Sequence, residues 1–213
     1  WDANIFVTAG GFSAGAIPIN LDLDPTNAVG GVTVTGNVTH SPGTFIRHDM
    51  IPAGADDLIT HNTAGFYDLG VGTVVRIAAT DNDTVIRDGV YTVVDSDIGI
   101  LGSLPTMAVQ FNDNVNLFDG GLVGSRTFNT GVGDTTAVIN GFLTPFFSGG
   151  GDDLLFSVAH DFEGLAGLSS NASALGAALD ASVANPNAVI QDFIAALDYS
   201  DLETVQETME SLI

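Results

Sequence analysis

The chain lacks cysteine and lysine, is poor in glutamate and has no long apolar run, and each shortage closes off a class of protein. Without a single Cys, neither a disulfide framework nor a thiol nucleophile is available. Arg47, Arg76, Arg87 and Arg126 are the whole cationic complement, against a net charge of −22. Nucleic-acid binding needs clustered Lys and Arg to neutralise phosphates, and attachment to anionic lipid needs the same. The expected partners therefore include no nucleic acid. No apolar run approaches the ~18–20 residues of a membrane helix, so no membrane span is expected in this chain. Of the 26 acids only Glu163, Glu203, Glu207 and Glu210 are not Asp. Asp bonds nearby backbone N–H groups and favours turns and caps, which places the acidity in loops. Such a surface suits solubility in a salty medium that screens self-repulsion.

What is present reads as β-structure. The composition is 45% hydrophobic with 26 Gly and 7 Pro, suited to many short strands joined by tight turns. From Val32 to Ala78 the chain says nearly the same thing twice: strand, glycine-containing corner, strand. Val32, Val34 and Val38 lead through Ser41-Pro42-Gly43 to Phe45-Ile46. Leu58 and Thr60 lead through Asn62-Thr63-Ala64-Gly65 and Leu69-Gly70-Val71-Gly72 to Val74-Val75-Ile77. Matching Val32 to Leu58 aligns the first halves, and matching Gly43-Thr44 to Gly72-Thr73 aligns the second. Imperfect repeats of this period are the signature of stacked, solenoid-like coils. Upstream, Ile17, Ile19, Leu21 and Leu23 alternate with polar residues as in a half-buried strand, which Pro18 confines to an edge or a first position.

The pass along the rest of the chain yields further strands and no ligand set. His40, His48 and His61 lie near turns with no zinc-like spacing. Asp22 and Asp24 belong to a wet strand face. Asp81-Asn82-Asp83 starts like a calcium loop but lacks its Gly and distal Glu. Gly149-Gly150-Gly151 lacks the Lys of a phosphate cradle. Asp88-Gly89 predicts a hairpin between Thr84-Val85-Ile86 and Val90 to Val94. Met107 to Phe111 and Asn116 to Phe118 are short strand candidates. Leu143 to Phe147 and Leu154 to Val158 flank a loop, Ser148 to Asp153, too long for a tight hairpin. No catalytic, cofactor-binding or metal-ligating residue is assigned, and no cofactor is expected.

From Leu168 the period changes. Ala172, Leu175, Ala178, Leu179 and Val183 form a helical stripe with Ser170 or Asn171 as N-cap. Asn185-Pro186 ends it, with Pro186 as first residue of a second helix whose buried face is Val189, Ile190, Phe193, Ile194 and Leu197. Ser200 and Glu203 predict a capping box for a third.

These residues, in this order, resemble the C-terminal part of a bacterial type V autotransporter passenger, from about residue 29 onward. The likeness is carried by the rungs Val32 to Thr44 and Asp57 to Gly72, the strand Tyr91-Thr92-Val93-Val94, and the pair Phe142-Leu143-Thr144-Pro145 and Leu154 to Phe162. The alanine-rich Asn171 to Ala181 completes it. The outer-membrane β-barrel that follows in the family, and most of a passenger's rungs, do not occur in these 213 residues. The fold class expected is mainly β: a β-solenoid or β-helix end with a hairpin cap, or a sandwich-like β module, followed by a short α-helical C-terminal segment. The β-rich domain is expected over 1–166, with rungs at about 29–78 and cap strands at about 80–162. Two or three short helices are expected over 167–213. The resemblance implies an extracellular, non-catalytic module at the surface of a Gram-negative bacterium that folds first and caps the passenger of a surface protein or adhesin. Its expected partners are an upstream passenger or a neighbouring copy, joined by β-strand addition. The alternatives are a self-assembling filament subunit and, third, a polysaccharide-acting β-helix enzyme, for which no strand presents paired carboxylates beside an Arg.

Overall fold

The computed structural model describes residues 5–7, 11–13, 31–40, 42, 45–51, 55–56, 58–62, 65–79, 85–110 and 137–213. Strands fill the described residues as far as 158 apart from one short helix, and three helices follow. The strands are β1 (Ile5–Val7), β2 (Gly11–Ser13), β3 (Gly31–Thr35), β4 (Val38–His40), β5 (Phe45–Ile51), β6 (Ala55–Asp56) and β7 (Leu58–Asn62). They continue with β8 (Tyr67–Asp68), β9 (Val74–Ala79), β10 (Gly89–Ser96), β11 (Ile100–Leu101), β12 (Thr106–Gln110), β13 (Leu143–Phe147) and β14 (Leu154–Val158). The helices are α1 (Val138–Gly141), α2 (Ser170–Val183), α3 (Ala188–Asp198) and α4 (Leu202–Ser211).

Three sheets take these strands in the orders β1-β4-β8-β11, β3-β7-β10-β14-β13 and β2-β5-β9-β12. Every pairing is parallel except those of β14 with β10 and β13, and of β6 with β5. Three times in succession the chain lays one strand in each sheet: β3, β4, β5, then β7, β8, β9, then β10, β11, β12. The corners between them stack closely. Gly65 has φ +104°, and a Cβ there would come within 2.5 Å of the backbone carbon of Gly36, itself at φ +104°. Only glycine meets both demands.

The registers decide which side chains are buried. Phe45 pairs with Val74, continuing the expected match of Gly43-Thr44 to Gly72-Thr73. Val32 pairs with Ile59 rather than Leu58, one residue away from the expected match. A slip of one turns every side chain to the other face. Thus Ile59 and His61 point inward with Val34, and Leu58 is only half-buried. The expected match set Leu58 opposite Val32, and the buried histidine in line with Ile59 hides the inward row from a pattern of apolar residues.

Other expectations also shift. Val85 and Ile86 are buried but form no strand, so Asp88-Gly89 turns no hairpin. Instead β10 runs between β7 and β14, pairing Val94 with Ile59 on one side and Leu154 on the other. β13 and β14 do form a hairpin. Its loop is held by Ser148, whose hydroxyl accepts from the backbone N–H of Asp152 and Asp153 at 3.2 and 3.0 Å. Met107 falls in β12. The candidates Ile17 to Leu23, with Asp22 and Asp24, and Asp81 to Asp83 and Asn116 to Phe118 lie outside the described residues.

Each of the longer helices begins one residue or more from its expected start. Ser169 caps α2, accepting from Ala172 N–H; Asn187 caps α3, accepting from Ile190 N–H; Asp201 caps α4, accepting from Thr204 N–H. Ser200 forms no capping box because its hydroxyl donates back to the Ala196 carbonyl at 2.7 Å. It closes α3 instead. Pro186 therefore lies just before the cap of α3 and not inside its first turn.

Substitutions in β7 test the register. Ile59→Ala is expected to cost about 2–5 kcal/mol, the range for emptying a packed aliphatic site, and Leu58→Ala about 1 kcal/mol. Chemical denaturation of the two variants checks this, and the opposite ranking would restore the match of Val32 to Leu58.

Candidate functional site

Polar side chains inside the molecule gather in two places. The first is among the parallel strands, where His40, His48 and His61 are all buried. Because His61 pairs with Ser96 in the ladder, its Nδ1 lies 3.0 Å from the Ser96 hydroxyl. Its Nε2 lies 2.7 Å from the Gly36 carbonyl. The nitrogen facing the carbonyl is the donor, and the hydroxyl of Ser96 partners the other. His40 Nε2 lies 3.1 Å from the Tyr67 hydroxyl, and the Tyr67 ring touches both histidines. Burial pulls the His40 imidazole down to about 4 against the opposing charge of Asp68. Burial likewise pushes the Tyr67 hydroxyl up. His48 packs edge-on to Phe156. Among the described residues no three His, Asp or Glu side chains converge as metal ligands.

The second place is the junction of strands and helices. His160, just past β14, has a side chain with no solvent exposure. Its Nδ1 is 2.5 Å from Asp88 Oδ1, at the start of β10, and its Nε2 is 3.1 Å from Asp198 Oδ2, the last residue of α3. The same Asp88 oxygen accepts from the His160 backbone N–H at 3.0 Å. Phe142 and Phe162 pack against the imidazole. Burial alone would pull His160 down; the hydrogen bonds and charges of Asp198 and Asp88 outweigh it and lift the group to about 9. Asp198 is itself pushed up by burial, with the imidazolium opposing. The ring is thus a cation held between two carboxylates, both nitrogens donating.

Two further contacts seat α2 against the same segment. Asp180 accepts from the backbone N–H of Phe162 and Glu163 at 2.9 and 3.1 Å. One turn earlier, Gly176 lets the helix approach so closely that a Cβ would lie 2.6 Å from the backbone of Phe162. A cleft of about 710 Å³ opens beside His160, lined chiefly by Val138, Phe142, Ala159, Asp161, Leu165 and Leu202. No imidazole nitrogen is free to act in it, because both are bonded to carboxylates.

None of Asp88, His160, Asp180 or Asp198 stands out in the sequence as a site. Asp88 reads as a hairpin turn, and His160 as one histidine after a strand. The one available signal is that the helical stripe through Leu175 and Leu179 carries an Asp immediately beside it at Asp180. Comparison with protein-family models, with curated proteins and with solved structures finds no match for this chain.

Two outcomes follow from this chemistry. In Gly176→Ala the gain in helix propensity, about 1 kcal/mol, is smaller than the clash with unyielding backbone. A net loss of about 1–2 kcal/mol is expected, read by thermal unfolding. His40 gives an acid limb: its folded pKa lies below the unfolded value, so its contribution is present above about pH 6.5. That contribution is lost as pH falls towards 4, amounting to about 3 kcal/mol at most. Denaturation midpoints between pH 7 and 4 in wild type and His40→Gln check it; equal slopes would refute it.

Proposed function

We propose that this chain is the end of an extracellular β-solenoid, serving as a folding platform and cap for further coils, as in the autotransporter passengers it resembles. The observation that carries the reading is the pairing order. Three successive passes of the chain place parallel strands in the same three sheets, and an antiparallel hairpin then occupies the far edge of β10. A hairpin satisfies the open backbone groups of β10 and turns the chain away from another parallel pass. Beyond it in the chain, α2 packs against the segment that follows β14. At the opposite side β1, β2 and β3 are, among the described residues, the edge strands of their sheets. They supply rows of donors and acceptors to which upstream coils add without any external energy source.

The module is proposed as non-catalytic, located outside the cell or on the surface of a Gram-negative bacterium, within a larger adhesin-like protein. The buried polar groups support that reading, since His40, His61 and His160 each bond from one element to another. Among the described residues no helix is long and apolar enough to cross a membrane. A second reading, a filament subunit growing by strand addition, draws on the same three edge strands. It is weakened by the hairpin on β10, which leaves the two ends unlike.

Removing residues 142–162 from the full-length secreted protein is the decisive experiment. The expected result is loss of a protease-resistant passenger outside the cell. Normal secretion of a folded passenger without the hairpin would overturn the cap reading, and growth of the intact chain into polymers with rising concentration would favour the filament.

A further inference from the structure

We propose that His160 is a proton-gated clamp: while doubly protonated it fastens the start of β10 and the end of α3 to the end of β14, and on losing a proton its ring lets go of Asp88 and loosens the start of β10 while α3 stays attached. The inference stands apart from the capping role, since it concerns only how the two regions are joined.

Geometry carries it. A neutral imidazole has one N–H and cannot donate to two carboxylates at once. With the His160 side chain fully buried, water cannot replace whichever bond is lost. The two carboxylates are not equivalent. The Asp198 side chain is 2% exposed and its Oδ1 has no hydrogen-bond partner among the described residues. Without the N–H on Nε2 it would be a buried, uncompensated charge, which is strongly unfavourable. The Asp88 side chain is 43% exposed and can turn to solvent. The remaining proton therefore stays on Nε2, and the contact that breaks is the one from Nδ1 to Asp88. A lone pair then faces a carboxylate 2.5 Å away, so the ring contact opens and Asp88 is left with the His160 backbone N–H as its hold on the end of β14.

The surroundings set the direction. The charged groups facing the imidazole are Asp88 ahead of β10 and Asp198 in α3. Asp180 in α2 acts on it through Asp198, and α1 and the rings of Phe142 and Phe162 bring no charge. Of these, Asp198 and Asp88 favour the cation. Because the folded pKa, about 9, lies above the unfolded value, the clamp is fully closed below about pH 6.5. It is lost as pH rises through 9. Tyr67, the buried phenol among the strands, is pushed upward by burial and does not ionise in that window, so the parallel strands have no matching response there.

The test uses the intact chain. Ring ¹⁵N resonances of His160 and amide hydrogen exchange, corrected for intrinsic rate, are followed from pH 6 to 10. The expected result is a doubly protonated ring at pH 7 that converts to the Nε2–H tautomer with a midpoint near 9. Protection of the amides at the start of β10 should fall at least tenfold across that midpoint while α3, β5 and β9 keep theirs. Asp88→Asn, which leaves the ring one carboxylate, should move both midpoints together towards 6.5. Three outcomes would overturn the clamp: titration of His160 near 6.5 in the wild type, conversion to the Nδ1–H tautomer, or α3 losing protection in step with the start of β10.

Discussion

Lateral backbone pairing is the constraint from which the rest of this structure follows. A parallel strand bonds evenly to both neighbours, so each pass of the chain meets its needs only by lying against the one before and the one after. That requirement explains why β3, β7 and β10 sit side by side although 58 residues separate the start of β3 from that of β10. It also explains the close corners, where Gly36 and Gly65 stack with no room for a side chain. And it raises the problem of ending: the last strand needs a neighbour that asks for nothing further. β14 meets it by approaching from the opposite direction and folding back on itself as β13.

The interior tolerates polar groups because the ladder delivers partners at fixed offsets. His61 finds Ser96 in the next strand of its own row, and the Tyr67 hydroxyl lies within reach of His40 from β4. Buried polar atoms without partners are costly, and here the register supplies the partners as a consequence of strand pairing. At the junction with the helices the logic differs. There the bonds come from side chains of distant segments, Asp88, Asp180 and Asp198, and their acceptors and donors meet only when the helices dock.

The legible part of this molecule was local. Alternation in Val32 to Thr35 and the matched Gly-Thr pairs at 43 and 72 revealed repeated strands, and the stripe from Ala172 to Val183 revealed a helix. Helix starts were misplaced because Ser200, a good cap in isolation, bonds backwards into α3 and leaves the cap to Asp201. The match of Val32 to Leu58 is one residue off, because His61, buried and bonded, looks polar beside the apolar residues it lies in line with. Asp88-Gly89 has the composition of a tight turn, and its role became visible only where β14 brings His160 against it. The junction was illegible for the same reason: it joins residues 88, 160, 180 and 198, and no spacing along the chain announces that meeting.

The contact between Ser169 and Glu210 has a mechanical meaning. The Glu210 carboxylate accepts from both the backbone N–H and the hydroxyl of Ser169, at 2.5 and 2.8 Å. Gln206 of the same helix also donates to the Ala166 carbonyl. The final helix thus grips the very residue that starts the first, and α2, α3 and α4 make a closed loop instead of a string. Tension applied at Ile213 would reach Ser169 and residue 166 directly, bypassing α3, so that the whole helical loop bears the load before any one helix begins to unravel.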